Sequence, residues 1–233
     1  MLRLTRTFLP IALLVIVSTL HAADHSAVTP APRDGNWMSR HEAINKRTKE
    51  GNIDLVFLGD SITQGWNDNA VWKKHFAPRH AANMGIGGDR TQHVLWRLDH
   101  GNIDGIEPKL AVLMIGTNNS NGTDNTAEEI GDGIKAIVAK LREKLPETKV
   151  LVLAIFPRGE KPNPQREKNA KASQLASEVA DDKMVFFLDI GPKFLAEDGT
   201  LSKEIMPDYL HLSEKGYEIW AEAIDAKVDE LMK

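Results

Sequence analysis

Residues 54–65 of this 233-residue chain read DLVFLGDSITQG. The stretch contains an apolar run of strand length that is followed directly by glycine, aspartate and serine. Three further apolar runs have similar length, and a shorter run at residues 81–84 is a candidate for a fifth strand. The three further runs lie at residues 110–115, 150–155 and 184–188. Continuous rather than alternating apolar residues are typical of strands buried on both faces of a parallel sheet. The sequence therefore predicts a central parallel sheet of about five strands.

Segments with helical spacing of apolar residues separate these runs. They lie at residues 91–98, 126–145, 164–180 and from residue 213 to the end. Thr126 and Ser213 are good N-cap residues, and glutamate follows each of them within the first turn. The alternation of strands and helices favours right-handed crossovers, which predicts an α/β fold, a three-layer α/β/α sandwich. Such sheets bind ligands beyond the carboxyl ends of their strands, so we expect the chemistry in the loops there.

The first residues have the order of an export signal. Two arginines within the first six residues precede an apolar stretch at residues 8–20, and the small residues Ala22 and Ala23 follow it. The stretch is shorter than the roughly 20 residues that a membrane-spanning helix needs. We therefore expect a cleavable signal peptide at residues 1–23, no stable membrane anchor, and a secreted or periplasmic protein.

The composition of the chain excludes several kinds of site and partner. No cysteine is present, which excludes disulfides, zinc–thiolate sites and a cysteine nucleophile. The 33 acidic side chains outnumber the 29 basic ones, and this balance disfavours a nucleic acid as partner. Residues 24–35 include two prolines and are predicted to form an extended leader. Residues 36–233 are predicted to form a single domain.

Ser61 directly follows the first predicted strand. Gly59 permits a sharp turn there, so the hydroxyl of Ser61 can lie exposed at the end of the sheet. The surrounding residues are not the G-x-S-x-G motif of α/β-hydrolases, because the second glycine is absent. A serine in this position is on its own more often a helix N-cap than a nucleophile. The other loops at the same edge decide between the two interpretations.

Two of those loops offer hydrogen-bond donors for an oxyanion. Residues 83–89 read NMGIGGD, in which glycines leave backbone N–H groups accessible, and Gly85 is the candidate donor. The dinucleotide-binding glycine pattern is incomplete here, so nucleotide binding is a weak alternative. Residues 116–119 read GTNN, and the side-chain amide of Asn118 can be directed at a developing oxyanion.

Asp208 and His211 stand three residues apart just before the last predicted helix. At this spacing a carboxylate can hold one imidazole nitrogen while the other nitrogen faces a nucleophile. A metal site could use the same pair, but the sequence shows no second cluster of histidine and carboxylate that would complete it. We therefore expect no metal and no cofactor.

These four motifs together resemble the SGNH, or GDSL-type, hydrolase superfamily. Its signature positions fall on Ser61, Gly85, Asn118 and His211, and Asp208 completes a catalytic triad. Longer stretches resemble the catalytic α subunits of the intracellular (type Ib) platelet-activating factor acetylhydrolase: residues 85–89, 92–98, 133–138, 157–159 with 163–169, and 208–213. The resemblance implies a flavodoxin-like sandwich, no metal, and hydrolysis of short acyl esters, typically acetyl esters. A homodimer is compatible with it.

The resemblance also assigns a role to each candidate residue. His211, oriented by Asp208, would take the proton of Ser61 while the serine attacks an ester carbonyl. The oxyanion hole would consist of the backbone N–H groups of Ser61 and Gly85 and the side-chain amide of Asn118.

Two departures from that family matter. The first is Ile62, which stands where the serine motif has leucine, a volume-conserving change. The second is the export signal at the start of this chain, because the animal enzymes that it resembles are cytosolic. We therefore expect an exported serine esterase for short-chain (acetyl) esters. A carbohydrate O-acetylesterase with the same triad is the alternative, and a non-catalytic ligand-binding module on the same fold is the alternative from another class. Candidates for the acyl pocket are Leu210, Leu212 and Trp96.

Overall fold

The computed structural model of the chain describes residues 25–233. Within this range five strands form one sheet: β1 (Leu55–Gly59), β2 (Ala81–Gly85), β3 (Leu110–Met114), β4 (Lys149–Leu153) and β5 (Val185–Leu188). Their spatial order is β2-β1-β3-β4-β5, and every neighbouring pair is parallel. The prediction of a parallel sheet of about five strands is confirmed. The predicted signal peptide at residues 1–23 lies outside the described residues.

Seven α-helices accompany the sheet in the part of the chain that is described: α1 (Asn36–Lys49), α2 (Ser61–Gln64), α3 (Ala70–His75), α4 (Thr91–Leu98), α5 (Ala127–Lys144), α6 (Pro164–Ala176) and α7 (Glu214–Leu231). The four helices predicted from the sequence correspond to α4 to α7. Helix α6 ends before its predicted end, and a short 3₁₀ turn follows it. Among residues 25–233, no helix has both the length and the apolar character needed to cross a membrane.

Two apolar cores lie on opposite faces of the sheet. Val56 and Leu58 of β1 belong to the core on one face, whereas Leu55 and Phe57 belong to the other, because successive side chains of a strand point to opposite faces. Helices α1, α4, α5 and α6 cover the first core, and α3 and α7 cover the second. The chain therefore forms the predicted three-layer α/β/α sandwich.

Helix α1 is not predicted by the periodicity of the sequence. Its buried positions, Trp37, His41, Ile44 and Thr48, have helical spacing, but two of the four are polar. Gly35 precedes the helix with a φ of 68° and supplies no side-chain cap. The two usual signals of a helix, an apolar stripe and a capping side chain, are therefore weak here.

The segment predicted as an extended leader packs against the sandwich. A short 3₁₀ turn contains Ala27, which is fully buried. The hydroxyl of Thr91 donates a hydrogen bond to Ala27 O at 2.7 Å, and the N–H of Ala31 donates to Gln92 O at 3.2 Å. Residues 26–35 are therefore part of the packed structure and lie against the beginning of α4.

The carboxyl ends of β1, β2 and β3 lie side by side. Gly59, the last residue of β1, pairs with Gly85 of β2 and with Met114 of β3. The loops after these three strands therefore leave the sheet at one edge, which is the edge at which α/β sheets bind ligands.

Candidate active site

Ser61 is the first residue of α2 and comes two residues after the end of β1. A Cβ atom at Gly59 would clash with the side chain of Thr63, so glycine is required for α2 to begin this close to the strand. Asp60 is the N-cap of α2, because its carboxylate accepts a hydrogen bond from the backbone N–H of Ile62 at 3.0 Å. Since Asp60 caps the helix, the hydroxyl of Ser61 is not used as a cap and is available for chemistry.

Ser61, His211 and Asp208, here called the triad, form one chain of hydrogen bonds. Ser61 Oγ lies 2.9 Å from His211 Nε2, and His211 Nδ1 lies 2.6 Å from Asp208 Oδ2. The other carboxylate oxygen of Asp208 accepts hydrogen bonds from the backbone N–H groups of Leu210 at 3.0 Å and His211 at 2.7 Å. This is the geometry of a nucleophile, a general base and an orienting acid. The side chains of His211 and Asp208 are 46% and 55% exposed, so an ester can reach the triad from solvent.

The environment of Asp208 keeps its carboxylate ionised. Partial desolvation raises the pKa of Asp208, but hydrogen bonds from the His211 ring and from the N–H groups of His211 and Leu210 outweigh it and lower the pKa to about 2. An ionised Asp208 fixes the imidazole with its proton on Nδ1 and leaves Nε2 to accept the proton of Ser61. Across residues 25–233, no group of three or more histidine and carboxylate side chains is arranged to hold a metal ion.

The carboxyl group of Asp60 differs from that of Asp208. Asp60 is fully buried, and its Oδ2 has no hydrogen-bond partner among the described residues. Burial raises the pKa of Asp60 to about 7, although the hydrogen bond from the N–H of Ile62 acts in the opposite direction. The residue next to the candidate nucleophile therefore carries a carboxyl group that changes its protonation near neutral pH.

Two of the three predicted oxyanion donors are available. The side-chain amide of Asn118 donates to Asp89 O at 2.9 Å, and because an amide nitrogen carries two hydrogens, one of them remains for a substrate oxygen. The backbone N–H of Ser61 donates to no acceptor within the described part of the chain.

Gly85 does not serve as a free donor in this structure, and that prediction is wrong. Its backbone N–H donates to Asn83 Oδ1 at 3.0 Å and is therefore occupied. A Cβ atom at Gly85 would clash with the backbone of Thr63 and Gln64. Glycine is needed here because β2 and α2 pack closely together.

Gly88 is the glycine whose N–H is free. Its φ of 76° lies in the left-handed region that favours glycine, and its N–H donates to no acceptor among residues 25–233. Its neighbours lie at the site: a Cβ atom built on Gly87 would be 3.8 Å from Ser61 Cβ, and Asp89 O accepts the amide of Asn118. The sequence has three glycines within four residues at this loop, and nothing local distinguishes the one with the free N–H.

A pocket of about 350 Å³ adjoins the triad at Asp208. Of the residues predicted for an acyl pocket, Leu210 lines it. Leu212 lies instead in the apolar core beneath α7, and Trp96 stacks on the ring of His100 with 3.7 Å between ring centroids. The remaining lining residues are Arg158, Gly159, Asn163, Gln165 and Tyr209.

The chain is similar to known acylhydrolases. Residues 57–219 match the family model described as the GDSL-like Lipase/Acylhydrolase family. The platelet-activating factor acetylhydrolase IB subunit alpha1 of Bos taurus is 44% identical over 197 residues, which cover 84% of each chain. The subunit alpha2 of Rattus norvegicus is 46% identical over 186 residues, covering 79% of this chain and 80% of the relative.

A solved structure shares the fold at lower identity. The carbohydrate acetylesterase from Sinorhizobium meliloti has a TM-score of 0.57 and 22% identity, with 77% of this chain and 97% of that chain covered. The family model and the two relatives indicate the same family, and the solved structure has the same fold. The chain belongs to the GDSL-like lipase/acylhydrolase family and is a carboxylic ester hydrolase.

Proposed function

We propose that the chain is an exported serine esterase that hydrolyses short-chain esters, above all acetyl esters, through an acyl-enzyme. The observation that carries the proposal is the hydrogen-bonded order Ser61–His211–Asp208, with distances of 2.9 and 2.6 Å. The acetyl preference is supported by the relatives, which are named as acetylhydrolases. The sequence match covers 84% and 80% of their length.

In the acylation step, His211 Nε2 takes the proton of Ser61 as the serine oxygen attacks the ester carbonyl carbon. Asp208 holds the Nδ1–H and stabilises the imidazolium that forms. The negative charge that develops on the carbonyl oxygen is bound by the N–H groups of Ser61 and Gly88 and by the amide of Asn118. Gly88 thus replaces Gly85 in the proposed oxyanion hole.

The tetrahedral intermediate then collapses and the bond to the alcohol breaks. The alcohol leaves with the proton from His211, so the acyl group remains on Ser61 and the imidazole is neutral again. A water molecule attacks the acyl-enzyme while His211 removes its proton, and collapse of this second intermediate releases the acid and restores the hydroxyl of Ser61.

The test is hydrolysis of p-nitrophenyl acetate by the wild type and by Ser61→Ala. The variant should lose about 10⁴- to 10⁶-fold in kcat, because the residual rate comes only from binding and the oxyanion hole. A fluorophosphonate should label the wild type and not the variant. Near-normal turnover by folded Ser61→Ala would contradict the proposal.

Export is supported by the arginines and the apolar stretch at residues 8–20. A cut after Ala22 or Ala23 would leave intact the segment that begins at His25 and packs on the domain. The test is the N-terminal sequence of protein recovered from the periplasm or culture medium of an expressing bacterium. An uncleaved chain confined to the cytoplasm would contradict export.

A carbohydrate O-acetylesterase is the second candidate function. It is favoured by Arg158 in the lining of the pocket beside Asp208. Among the described residues the guanidinium of Arg158 donates only through Nη1, so its other N–H groups can donate hydrogen bonds to sugar hydroxyls. The measurement that separates the two candidates is acetate release from acetylated xylo-oligosaccharides compared with release from a 2-acetyl glycerophospholipid. A higher kcat/KM for the sugar ester would decide for the carbohydrate enzyme.

A further inference from the structure

Arg33, from the segment that precedes α1, contacts the loop that holds the free N–H of Gly88. Arg33 Nη1 donates to Gly87 O at 2.8 Å and lies 3.5 Å from Asp89 Oδ1. The guanidinium group also covers Gly88, because a Cβ atom built there would lie 3.0 and 3.1 Å from its two terminal nitrogens. The contact joins the N-terminal segment to residues 85–89, which we call the glycine loop.

The acceptor of this hydrogen bond belongs to the same peptide unit as the proposed oxyanion donor. The carbonyl of Gly87 and the N–H of Gly88 are the two ends of one planar peptide, and in a trans peptide they point in opposite directions. A donor that fixes the carbonyl oxygen on one side therefore fixes the direction of the N–H on the other. A hydrogen bond from a cation to the carbonyl also polarises the N–H and makes it a stronger donor.

The rest of the glycine loop is held by other residues. Gly87 N donates to Gln64 Oε1 at 2.6 Å, and the carboxylate of Asp89 accepts hydrogen bonds from Arg97 at 2.9 Å and Trp37 at 2.6 Å. These contacts fix the residues on either side, but none of them reaches the carbonyl of Gly87. A backbone hydrogen bond from the N–H of Asp89 to Ile86 O at 3.1 Å closes a turn over this peptide. Such a turn forms with either orientation of its central peptide, and two central glycines allow both, so the bond from Arg33 favours one of the two.

Arg33 is itself held in place by the segment from which it comes. Ala27 is buried and accepts a hydrogen bond from Thr91, and Ala31 donates to Gln92, so the segment is attached to α4 before it reaches the loop. The side chain of Arg33 is 36% exposed, which leaves it at the rim of the site rather than in the core.

We propose that Arg33 is a positioning residue of the hydrolytic reaction: it orients and polarises the Gly87–Gly88 peptide, so that the Gly88 N–H faces the oxyanion. The inference rests on the proposed function, since it requires an oxyanion at Ser61. It makes the segment before the hydrolase domain part of the catalytic arrangement.

The test compares Arg33→Ala with Arg33→Lys and with Arg47→Ala as a matched control. Arg47 also donates to a loop carbonyl, that of Gly51 at 2.7 Å, but it does so from the far end of α1. With p-nitrophenyl acetate, Arg33→Ala should lower kcat by about 10- to 100-fold, the size expected when a catalytic group is misplaced by about 1 Å. Its KM should stay within about twofold of wild type, and Arg33→Lys, which keeps a charged donor, should recover part of the loss.

A second readout separates a role at the oxyanion from a purely structural one. The rate of covalent labelling by a fluorophosphonate, whose phosphoryl oxygen occupies the oxyanion hole, should fall in parallel with kcat, while the melting temperature of Arg33→Ala matches that of Arg47→Ala. The proposal is overturned if kcat of Arg33→Ala stays within twofold of Arg47→Ala, if the loss lies in KM alone, or if labelling is unaffected. Ser61→Ala keeps the two proposals apart, because an active Ser61→Ala refutes the esterase mechanism, whereas an inactive Ser61→Ala with a fully active Arg33→Ala refutes the role of Arg33 only.

Discussion

The triad and the glycine loop lie at the same edge of the sheet, but different contacts hold them there. His211 and Asp208 are about half exposed and bind mainly each other and the adjacent backbone. In the glycine loop, Asp89 is fully buried and is bound by Arg97 and Trp37, which come from α4 and α1. The candidate base and its orienting acid are therefore a local unit, whereas the loop that carries the proposed oxyanion donor is held by distant parts of the chain.

Breaking the triad should have the largest effect. His211→Ala is expected to lower kcat by about 10⁴- to 10⁶-fold, because within residues 25–233 the hydroxyl of Ser61 has no hydrogen-bond partner besides His211 that could take its proton. His80 provides a matched control: its ring nitrogen lies 2.8 Å from Asp54 Oδ2, but this pair precedes β1 and β2 and so lies at the opposite edge of the sheet. Steady-state kinetics should show an inactive His211→Ala and an unchanged His80→Ala, and equal activities would remove His211 from the mechanism.

Removing an oxyanion donor should have a smaller effect. Asn118→Ala is expected to lose about 10²- to 10³-fold in kcat, the loss typical of one such donor. Asn118→Asp, which keeps the shape but has no amide hydrogens, should lose at least as much. If both variants turn over p-nitrophenyl acetate within threefold of wild type, the amide of Asn118 does not bind the oxyanion.

Two glycines of the same loop should respond in different ways to alanine. Gly88→Ala should lower kcat by roughly 10- to 100-fold and cost about 1 to 3 kcal/mol of stability for its positive φ, because the Cβ atom itself meets only the flexible end of Arg33. Gly85→Ala should instead lower the melting temperature strongly, since its Cβ atom meets the backbone of α2. Parallel kinetics and thermal unfolding check both, and the reverse pattern would restore Gly85 as the oxyanion donor.

The buried carboxyl group of Asp60 allows the last prediction, which concerns stability rather than activity. The pKa of Asp60 is raised from 3.8 to about 7 by burial, so between these values the folded state keeps a proton that the unfolded state has lost. Stability therefore falls as pH rises from about 4 to about 7, and the loss persists above that range. Asp60→Asn, which cannot ionise, should be more stable than wild type by up to about 4 kcal/mol at about pH 8, and by much less near pH 4. Urea unfolding at the two pH values measures this, and an equal difference at both would show that Asp60 does not titrate in this way.

The sheet and the triad could be predicted because their signals are local. Buried parallel strands are continuous apolar runs, and Ser61 stands just beyond the end of one of them. Asp208 and His211 needed only their spacing and their place before α7. Each of these features is decided by a few neighbouring residues.

The proposed oxyanion donor and the proposed role of Arg33 could not be predicted because their contacts are distant in sequence. Whether Gly85 or Gly88 has a free N–H depends on the side chain of Asn83 and on the close packing of β2 against α2. The bond from Arg33 to Gly87 joins a segment outside the predicted domain to the end of β2. Helix α1, which lies between Arg33 and Gly87 in the sequence, could not be predicted because two of its four buried positions are polar.

The most direct test of the central claim is to trap the acyl-enzyme. Wild-type protein mixed rapidly with an aryl acetate, quenched in acid and digested should yield one peptide that carries an acetyl group on Ser61, and Ser61→Ala should yield none. Steady turnover without an acetylated Ser61, or acetylation of a different residue at a rate that accounts for turnover, would contradict the account.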